Sequence, residues 1–481
     1  MSSESDEASP IIHIVPLGDP RRAAAIHPGS GAWVLIEDAD MPGLGLRGDT
    51  VNPVELAPTH PLYAGVLDAT LGYRSAALQR CEPKLDTLIL KVTNRCNEAC
   101  RHCYDAGGRA EMDAAIDTLF DATDEALVLC GPTLNLLFHG GEPFLRIDVL
   151  DRVAAHARDQ AAGLGKQVGV FVQTNASILN DRIIGILQKH HFGVGVSLDG
   201  WAELHDQMRV MADGTGTYRL FERSYRRYAH YLTAHAGIMT TVMACNVGAL
   251  PEIVRHVRDL GFRTWDATLF DLSGKGALYP QLAVGGEAYS AALEPILDLI
   301  EAGECDEIAI KPVLRRLDNL LSPRRDDMCL PGNGPCGAGG RLLSLSAENI
   351  VHGCDIIDRA SLRLGVFPAT TFGAALASPQ AAIMRSRPSR LAACHRCTWF
   401  GLCGGTCLAR GSLNAPDSTE CLVSKRINHS LLRRIARSDR LLDWYERYPP
   451  DRRRASIISE TANRAAASHP VNTAQRPRSV S

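Results

Sequence analysis

The chain has no apolar run approaching the about eighteen consecutive residues that a membrane-spanning helix needs. No membrane association is therefore expected. Basic charge is not in excess either: 51 Lys and Arg face 54 Asp and Glu, a formal net charge of -3, so the electrostatic footprint of a nucleic-acid binder is missing. The amino terminus, Met1-Ser2-Ser3-Glu4-Ser5-Asp6-Glu7, is acidic where a secretory signal would be basic, and no apolar core follows it. Nor is there an even cysteine complement of the kind that frames disulfides, since the total is 15. Together these absences place the protein in a reducing cytoplasm. No internal repeat is visible. What remains is globular: 481 residues, 45% hydrophobic, enough for about two to three domains with substantial cores.

The cysteines are grouped. Cys96, Cys100 and Cys103 form a CxxxCxxC array just after the apolar, β-branched run Leu88-Ile89-Leu90-Lys91-Val92-Thr93. The first thiol thus lies beyond the carboxyl end of a buried strand, where α/β folds put chemistry. Three thiolates on a four-iron cluster leave one iron open to a chelating substrate. A zinc knot with its fourth ligand elsewhere is the alternative from spacing alone. A second group runs Cys394, Cys397, Cys403, Cys407 and Cys421, with Cys329, Cys336 and Cys354 upstream, and those eight thiols suffice for two further clusters or two zinc sites. Cys81, Cys130, Cys245 and Cys305 lie in or beside apolar runs and read as buried core thiols.

The CxxxCxxC loop is followed by Gly140-Gly141-Glu142-Pro143, Gln173-Thr174-Asn175-Ala176, Ser197-Leu198-Asp199-Gly200, His205-Asp206 and Arg209, and then by the second cysteine array. In that order, over about residues 85 to 425, the chain resembles the radical S-adenosylmethionine (SAM) superfamily, in the branch with a SPASM domain. That branch includes anaerobic sulfatase-maturating enzymes and maturases that cross-link ribosomally made peptides. The resemblance implies a partial (β/α)6 barrel, with a Cys-rich SPASM iron-sulfur domain after it. It implies three 4Fe-4S clusters: one on Cys96, Cys100 and Cys103, one on Cys329, Cys336, Cys354 and Cys407, and one on Cys394, Cys397, Cys403 and Cys421. It assigns Gly140, Gly141, Glu142 and Pro143 to the methionine amino group of SAM, and Ser197 and Arg209 to its ribose and carboxylate. Glycines let backbone approach a ligand closely, and a carboxylate accepts from an ammonium. Apart from the resemblance, Asp199-Gly200 reads as a turn after a strand and His205-Asp206 as a helix-start cap. Asp355, beside Cys354, matches an aspartate taken as a base in sulfatase-maturating enzymes; Asp358 is a weaker candidate, and a plain turn carboxylate stays open.

Short apolar runs alternate with amphipathic ones from Thr87 to about Phe270, the pattern of parallel β/α units. Strands are expected at 87–93, 134–138, 167–174, 192–198, 237–244 and 263–270. Helices are expected over 147–164, 181–189, 218–234 and 251–260, the last with Pro251 at its first position. Four regions follow: an amino-terminal segment 1–84, a barrel and connector 85–310, an auxiliary-cluster domain 311–430, and a carboxyl-terminal helix with a disordered tail 431–481. In the first region only residues 31–37 read as a strand. A winged-helix module gripping a leader peptide and an add-on packed against the barrel are both open there. The connector holds one helical stretch. Past Cys421 an Arg-rich helix is expected to about Tyr448, and Arg452-Arg453-Arg454 reads as a solvated patch.

The expected function is hydrogen abstraction from a side chain of a precursor peptide, leading to an oxidative cross-link. The alternatives are conversion of a sulfatase Cys or Ser to formylglycine and, from another class, a non-catalytic zinc-binding interaction protein. The expected partners are the peptide or protein substrate and a low-potential electron donor such as flavodoxin or ferredoxin.

Overall fold

The computed structural model describes residues 11–37, 52–55 (backbone only), 84–105, 111–321, 336–357 and 359–448. Cys81, Cys329, Asp358 and the tail with Arg452-Arg453-Arg454 lie outside the described residues. So do residues 56–83, where the helical part of a winged-helix module would fall.

The chain opens with an antiparallel sheet in the order β3-β2-β1-β4, made of β1 (Ile11–Pro16), β2 (Arg22–Ile26), β3 (Trp33–Glu37) and β4 (Asn52–Glu55). Only β3 was anticipated. The run Ala23-Ala24-Ala25 has high helix propensity, yet it is held as a strand between β1 and β3 and completely buried. Tertiary pairing outweighs propensity where three small side chains let another layer lie close. Val15, Leu17, Ala24 and Ile26 join the same buried cluster as the barrel strands, and hydrogen bonds reach later parts of the chain. Trp33 Nε1 donates to Leu320 O (2.7 Å), Gly401 N to Pro28 O (2.7 Å), His429 Nε2 meets Pro16 O (2.7 Å), and Arg22 donates to Ala436 O. The sheet is fastened to the carboxyl-terminal third of the chain.

The central sheet has ten strands among the described residues, in the order β11-β10-β9-β8-β7-β6-β5-β12-β13-β14. Six of them, β5 (Leu85–Thr93), β6 (Cys130–Gly140), β7 (Gln167–Thr174), β8 (Gly193–Ser197), β9 (Ala236–Val242) and β10 (Thr264–Leu269), are successive parallel neighbours. Between them run α1 (Ile116–Leu129), α2 (Ile147–Gly163), α3 (Asp181–Lys189), α4 (Tyr218–His235) and α5 (Leu250–Asp259). This is the expected partial barrel. Strand β5 shows why it reads so clearly: seven of its nine residues form an unbroken buried run, as in a strand covered on both faces. Helix α1 was not anticipated, although Leu119, Ala122, Ala126 and Leu127 make a buried stripe at helical spacing. Helix α5 starts at Leu250, so Pro251 takes its second position, where an amide is also unpaired.

The connector holds two helices, α6 (Gly286–Glu301) and α7 (Lys311–Leu321), flanking β11 (Ala309–Ile310). Beyond it the chain returns to the barrel. Strand β12 (Leu342–Leu345) pairs in parallel with β5, Leu345 opposite Leu90, and β13 (Ile350–His352) and β14 (Gly365–Val366) extend the sheet antiparallel. The sequence signalled none of these short strands. Helix α8 (Ser418–Ile435) is capped by Asp417, which accepts from Thr419 N (2.9 Å), so Cys421 lies in its first turn rather than before it. The expected single helix to Tyr448 is broken at Ala436–Asp439, and α9 (Arg440–Glu446) follows. Arg434 ties α8 to α6 through Asp298 (2.7 Å), Glu294 (3.0 Å) and Glu301.

Candidate functional site

Cys96, Cys100 and Cys103 follow β5 directly and are all half-buried. Their loop is pinned by Ala99 N to Val210 O (2.7 Å) and Arg101 N to Met208 O (2.9 Å), so the segment around Arg209 forms its floor. Burial pushes the Cys96 thiol up to about 12 and Cys100 well above its ordinary value, and the three thiols act on one another. Such thiols keep their protons unless a metal displaces them. The donor set, three clustered sulfurs at a strand's carboxyl end, fits a cluster with one iron left open.

The glycines of Gly140-Gly141-Glu142-Pro143 serve the fold first. A Cβ on Gly140 (φ 116°) would fall on the Thr93 carbonyl, and one on Gly141 on the Arg95 carbonyl. The close approach is to the chain's own backbone at the end of β5, sealed by Gly141 N to Thr93 O (2.8 Å) and Glu142 N to Arg95 O (2.9 Å). Glu142 is buried and accepts from Phe144 N (3.1 Å), Thr174 Oγ1 (2.8 Å) and Asn175 N (2.9 Å); burial nevertheless lifts its carboxyl to about 7. Those three bonds leave room for a further donor on Oε2. Pro143 is buried at the start of the next turn.

Arg209 was expected to meet a carboxylate of SAM. Its fork instead grips Asp199, Nε to Oδ2 at 2.6 Å and Nη2 to Oδ1 at 3.3 Å, and both residues are buried. Nη1 takes no part in this pair. Burial works against the guanidinium charge, but Asp199 outweighs it and raises its pKa. Ser197 Oγ accepts from Gln173 Nε2 (2.9 Å). His205 ends a short helix rather than starting one, with its Nδ1 accepting from Asp199 N (3.4 Å). Asp206 does cap a helix, but the later α4, through Tyr218 N (2.8 Å). Gly200, at φ 128°, makes the expected turn.

A cavity of about 950 Å³ is lined by Lys91, Tyr104 and Asp105 from the barrel, by Asp355 after β13, and by residues 409–410 and 417–419 of the carboxyl-terminal segment. Tyr104 Oη donates to Asp355 Oδ2 (2.7 Å), Cys354 Sγ to Oδ1 (3.4 Å), and Lys91 Nζ to the Asp355 carbonyl (3.1 Å) and to Asp105 Oδ1 (2.6 Å). Burial pushes the Asp355 carboxyl up, but His139 and Lys91 outweigh it and leave it below the usual carboxylate range. Burial also holds Tyr104 protonated. Lys91, Tyr104, Asp105 and His139 were missed as site residues. Lys91 was the readable one, a lone cation in an apolar strand.

Cys394, Cys397, Cys403 and Cys421 line one small cavity with Trp399 and Phe400. Cys407 lies apart from them, with Cys336, and Cys354 sits at Asp355 and Lys91. Burial lifts Cys403 to about 12 and Cys407 to about 11. Of the remaining thiols, Cys130 and Cys305 are buried as expected, whereas Cys245 is only half-buried. Among the described residues, no three His, Cys, Asp or Glu side chains converge as ligands of a single metal ion.

Residues 90–243 match the radical SAM superfamily. An uncharacterized protein of Methanocaldococcus jannaschii, MJ0907, is 30% identical over 37% of this chain, which spans 60% of that relative's length. The cysteine-type anaerobic sulfatase-maturating enzyme of Clostridium novyi is 23% identical over 70% of this chain and 91% of its own. Among solved structures, native anSMEcpe with bound AdoMet and Cp18Cys peptide superposes with a TM-score of 0.65 at 17% identity, covering 76% of this chain and 100% of that one. This last likeness is one of fold. Over residues 90–243 the chain thus carries a domain of the radical SAM superfamily of enzymes.

Proposed function

We propose that this protein oxidises a side chain of a peptide or protein substrate. The observation that carries the reading is the cavity of about 950 Å³ in which Asp355, Tyr104 and Lys91 converge next to Cys354 and just past Cys103. In this reading Cys96, Cys100 and Cys103 hold one 4Fe-4S cluster. Cys336, Cys354 and Cys407, with Cys329, hold a second, and Cys394, Cys397, Cys403 and Cys421 a third. Bound there, the first cluster and SAM supply the radical that removes a substrate hydrogen. Glu142 would hold the SAM ammonium, Ser197 the ribose and Arg209 the carboxylate. Asp355, kept ionised and aimed by Tyr104, takes the proton that leaves as the substrate is oxidised.

The cavity has room for several residues of a peptide, so a cross-link in a ribosomally made precursor is the first reading. Formylglycine formation is the second, favoured by the likeness to the Clostridium novyi enzyme. An electron donor of the flavodoxin or ferredoxin type completes the system. No helix of the described residues is long and apolar enough to cross a membrane.

The test separates cleavage from product. Cys100→Ala is expected to abolish 5'-deoxyadenosine formation. Asp355→Asn keeps the shape and is expected to preserve that cleavage while product falls by about a hundredfold or more, the usual loss with a general base. Equal loss of both activities in folded Asp355→Asn protein counts against the assignment. A hydrazide-reactive aldehyde in the product favours formylglycine over a cross-link.

A further inference from the structure

Among the described residues of the carboxyl-terminal half, two arginines are buried without an ion pair. Arg387, 1% exposed, opens the short helix Arg387–Arg390 and spends its guanidinium on three backbone carbonyls: Nε on Ser412 O (2.7 Å), Nη1 on Thr406 O (2.8 Å) and Nη2 on Ala415 O (3.0 Å). Carbonyl dipoles solvate the charge but do not neutralise it. Among the described residues no carboxylate lies within 4.0 Å of it. Asp417, the acid whose charge reaches it, is already bound to Arg410 at 3.1 Å. Thr406, whose carbonyl holds Nη1, lines the small cavity of Cys394, Cys397, Cys403 and Cys421 and directly precedes Cys407 of the other proposed ligand set. Arg316 is likewise buried, 8% exposed, with Nη1 on Pro312 O (2.9 Å) and Nε without a partner, but there the carboxylate Glu420 offsets part of the charge.

A buried cation without a countercharge is strongly destabilising unless an anion comes with it. Protonated thiols are neutral, so they cannot be that anion. A cluster held by four thiolates carries net negative charge, and its reduction potential depends on the charge around it. We propose that Arg387 is the shared countercharge of the two auxiliary clusters and raises their reduction potentials. This rests on the cluster reading above. The backbone bonds of Arg387 fix the cation in the wall between the two thiol sets, so one residue acts on both.

The full-length protein, reconstituted anaerobically with iron and sulfide, is titrated with dithionite while the reduced clusters are followed by electron paramagnetic resonance. Arg387→Gln keeps hydrogen-bonding capacity without charge, whereas Arg387→Lys keeps charge with fewer bonds. The Gln variant is expected to shift the auxiliary clusters about tenfold toward the oxidised form, about 59 mV for a one-electron couple. The Lys variant is expected to stay near wild type. Potentials unmoved in both, or moved equally, overturn the proposal, because then shape rather than charge is what Arg387 supplies. If the Gln variant fails to hold auxiliary iron, the Lys variant must hold it, and loss in both also overturns the proposal. Wild-type protein with only about four irons rejects the cluster reading itself, and the countercharge with it.

Discussion

Lys91 shows how one side chain joins the two halves of the site. It leaves a strand of otherwise apolar neighbours to bind Asp105 at 2.6 Å and the Asp355 carbonyl at 3.1 Å, with only 11% of its side chain exposed. Removing the cation strands a mostly buried carboxylate. Lys91→Met is therefore expected to lower stability by about 3–5 kcal/mol, whereas Lys91→Met with Asp105→Asn recovers most of that loss. Urea denaturation of the three proteins checks it, and a double variant no more stable than the single would contradict the pairing. The spacing of the cysteines and of Gly140-Gly141-Glu142 made the site legible in the sequence, because spacing is local. The partners of those residues were not legible. That Asp199 fills the fork of Arg209, or that Tyr104 aims at Asp355, depends on segments 10 and 251 positions apart meeting in space.

Among the elements, the six parallel strands could be read to within a few residues, since burial on both faces writes continuous apolar runs. Strands β12, β13 and β14 could not. They are two to four residues long and take their form from pairing with β5 and with one another, not from their own composition. The same holds for β2, an alanine run made a strand by its neighbours. Helix α9 is anchored by three buried side chains, Leu441, Trp444 and Tyr445, of which Trp444 is the largest, fully buried with Nε1 on Cys305 O at 2.9 Å. Trp444→Ala is expected to cost about 3–5 kcal/mol. Arg434→Ala, whose three carboxylate partners on α6 all keep some contact with solvent, should cost only about 1 kcal/mol. Thermal unfolding that ranked the two in the opposite order would contradict this division.

The whole molecule is set to weaken in acid. His13, His102, His139, His190, His205 and His256 all lie below the ordinary imidazole value, each chiefly because burial disfavours the cation; His205 falls to about 3 and His102 to about 4. The unfolded chain binds those protons near pH 6.5 and the folded chain does not, so stability present above that pH is lost below it. For buried His205 the loss is about 1.4 kcal/mol per pH unit. Glu142, lifted to about 7, acts in the opposite sense, gaining a proton in the fold as pH drops. Burial raises Glu98 and Asp417 in the same sense as Glu142. With six imidazoles against three carboxylates, the urea midpoint of the metal-free protein is expected to fall between pH 7.5 and 5.5, and a midpoint that held or rose would refute it. The pairing of Leu90 with Leu345 also has a consequence in time. One edge of β5 waits for a partner made some 250 residues later, roughly 13–50 s of synthesis at about 5–20 residues per second. Throughout that interval the nascent barrel presents an unpaired, apolar, parallel-competent edge, the template on which chains aggregate. The cysteine-rich segment therefore does more than carry thiols: its arrival ends the most hazardous stage in the life of the chain.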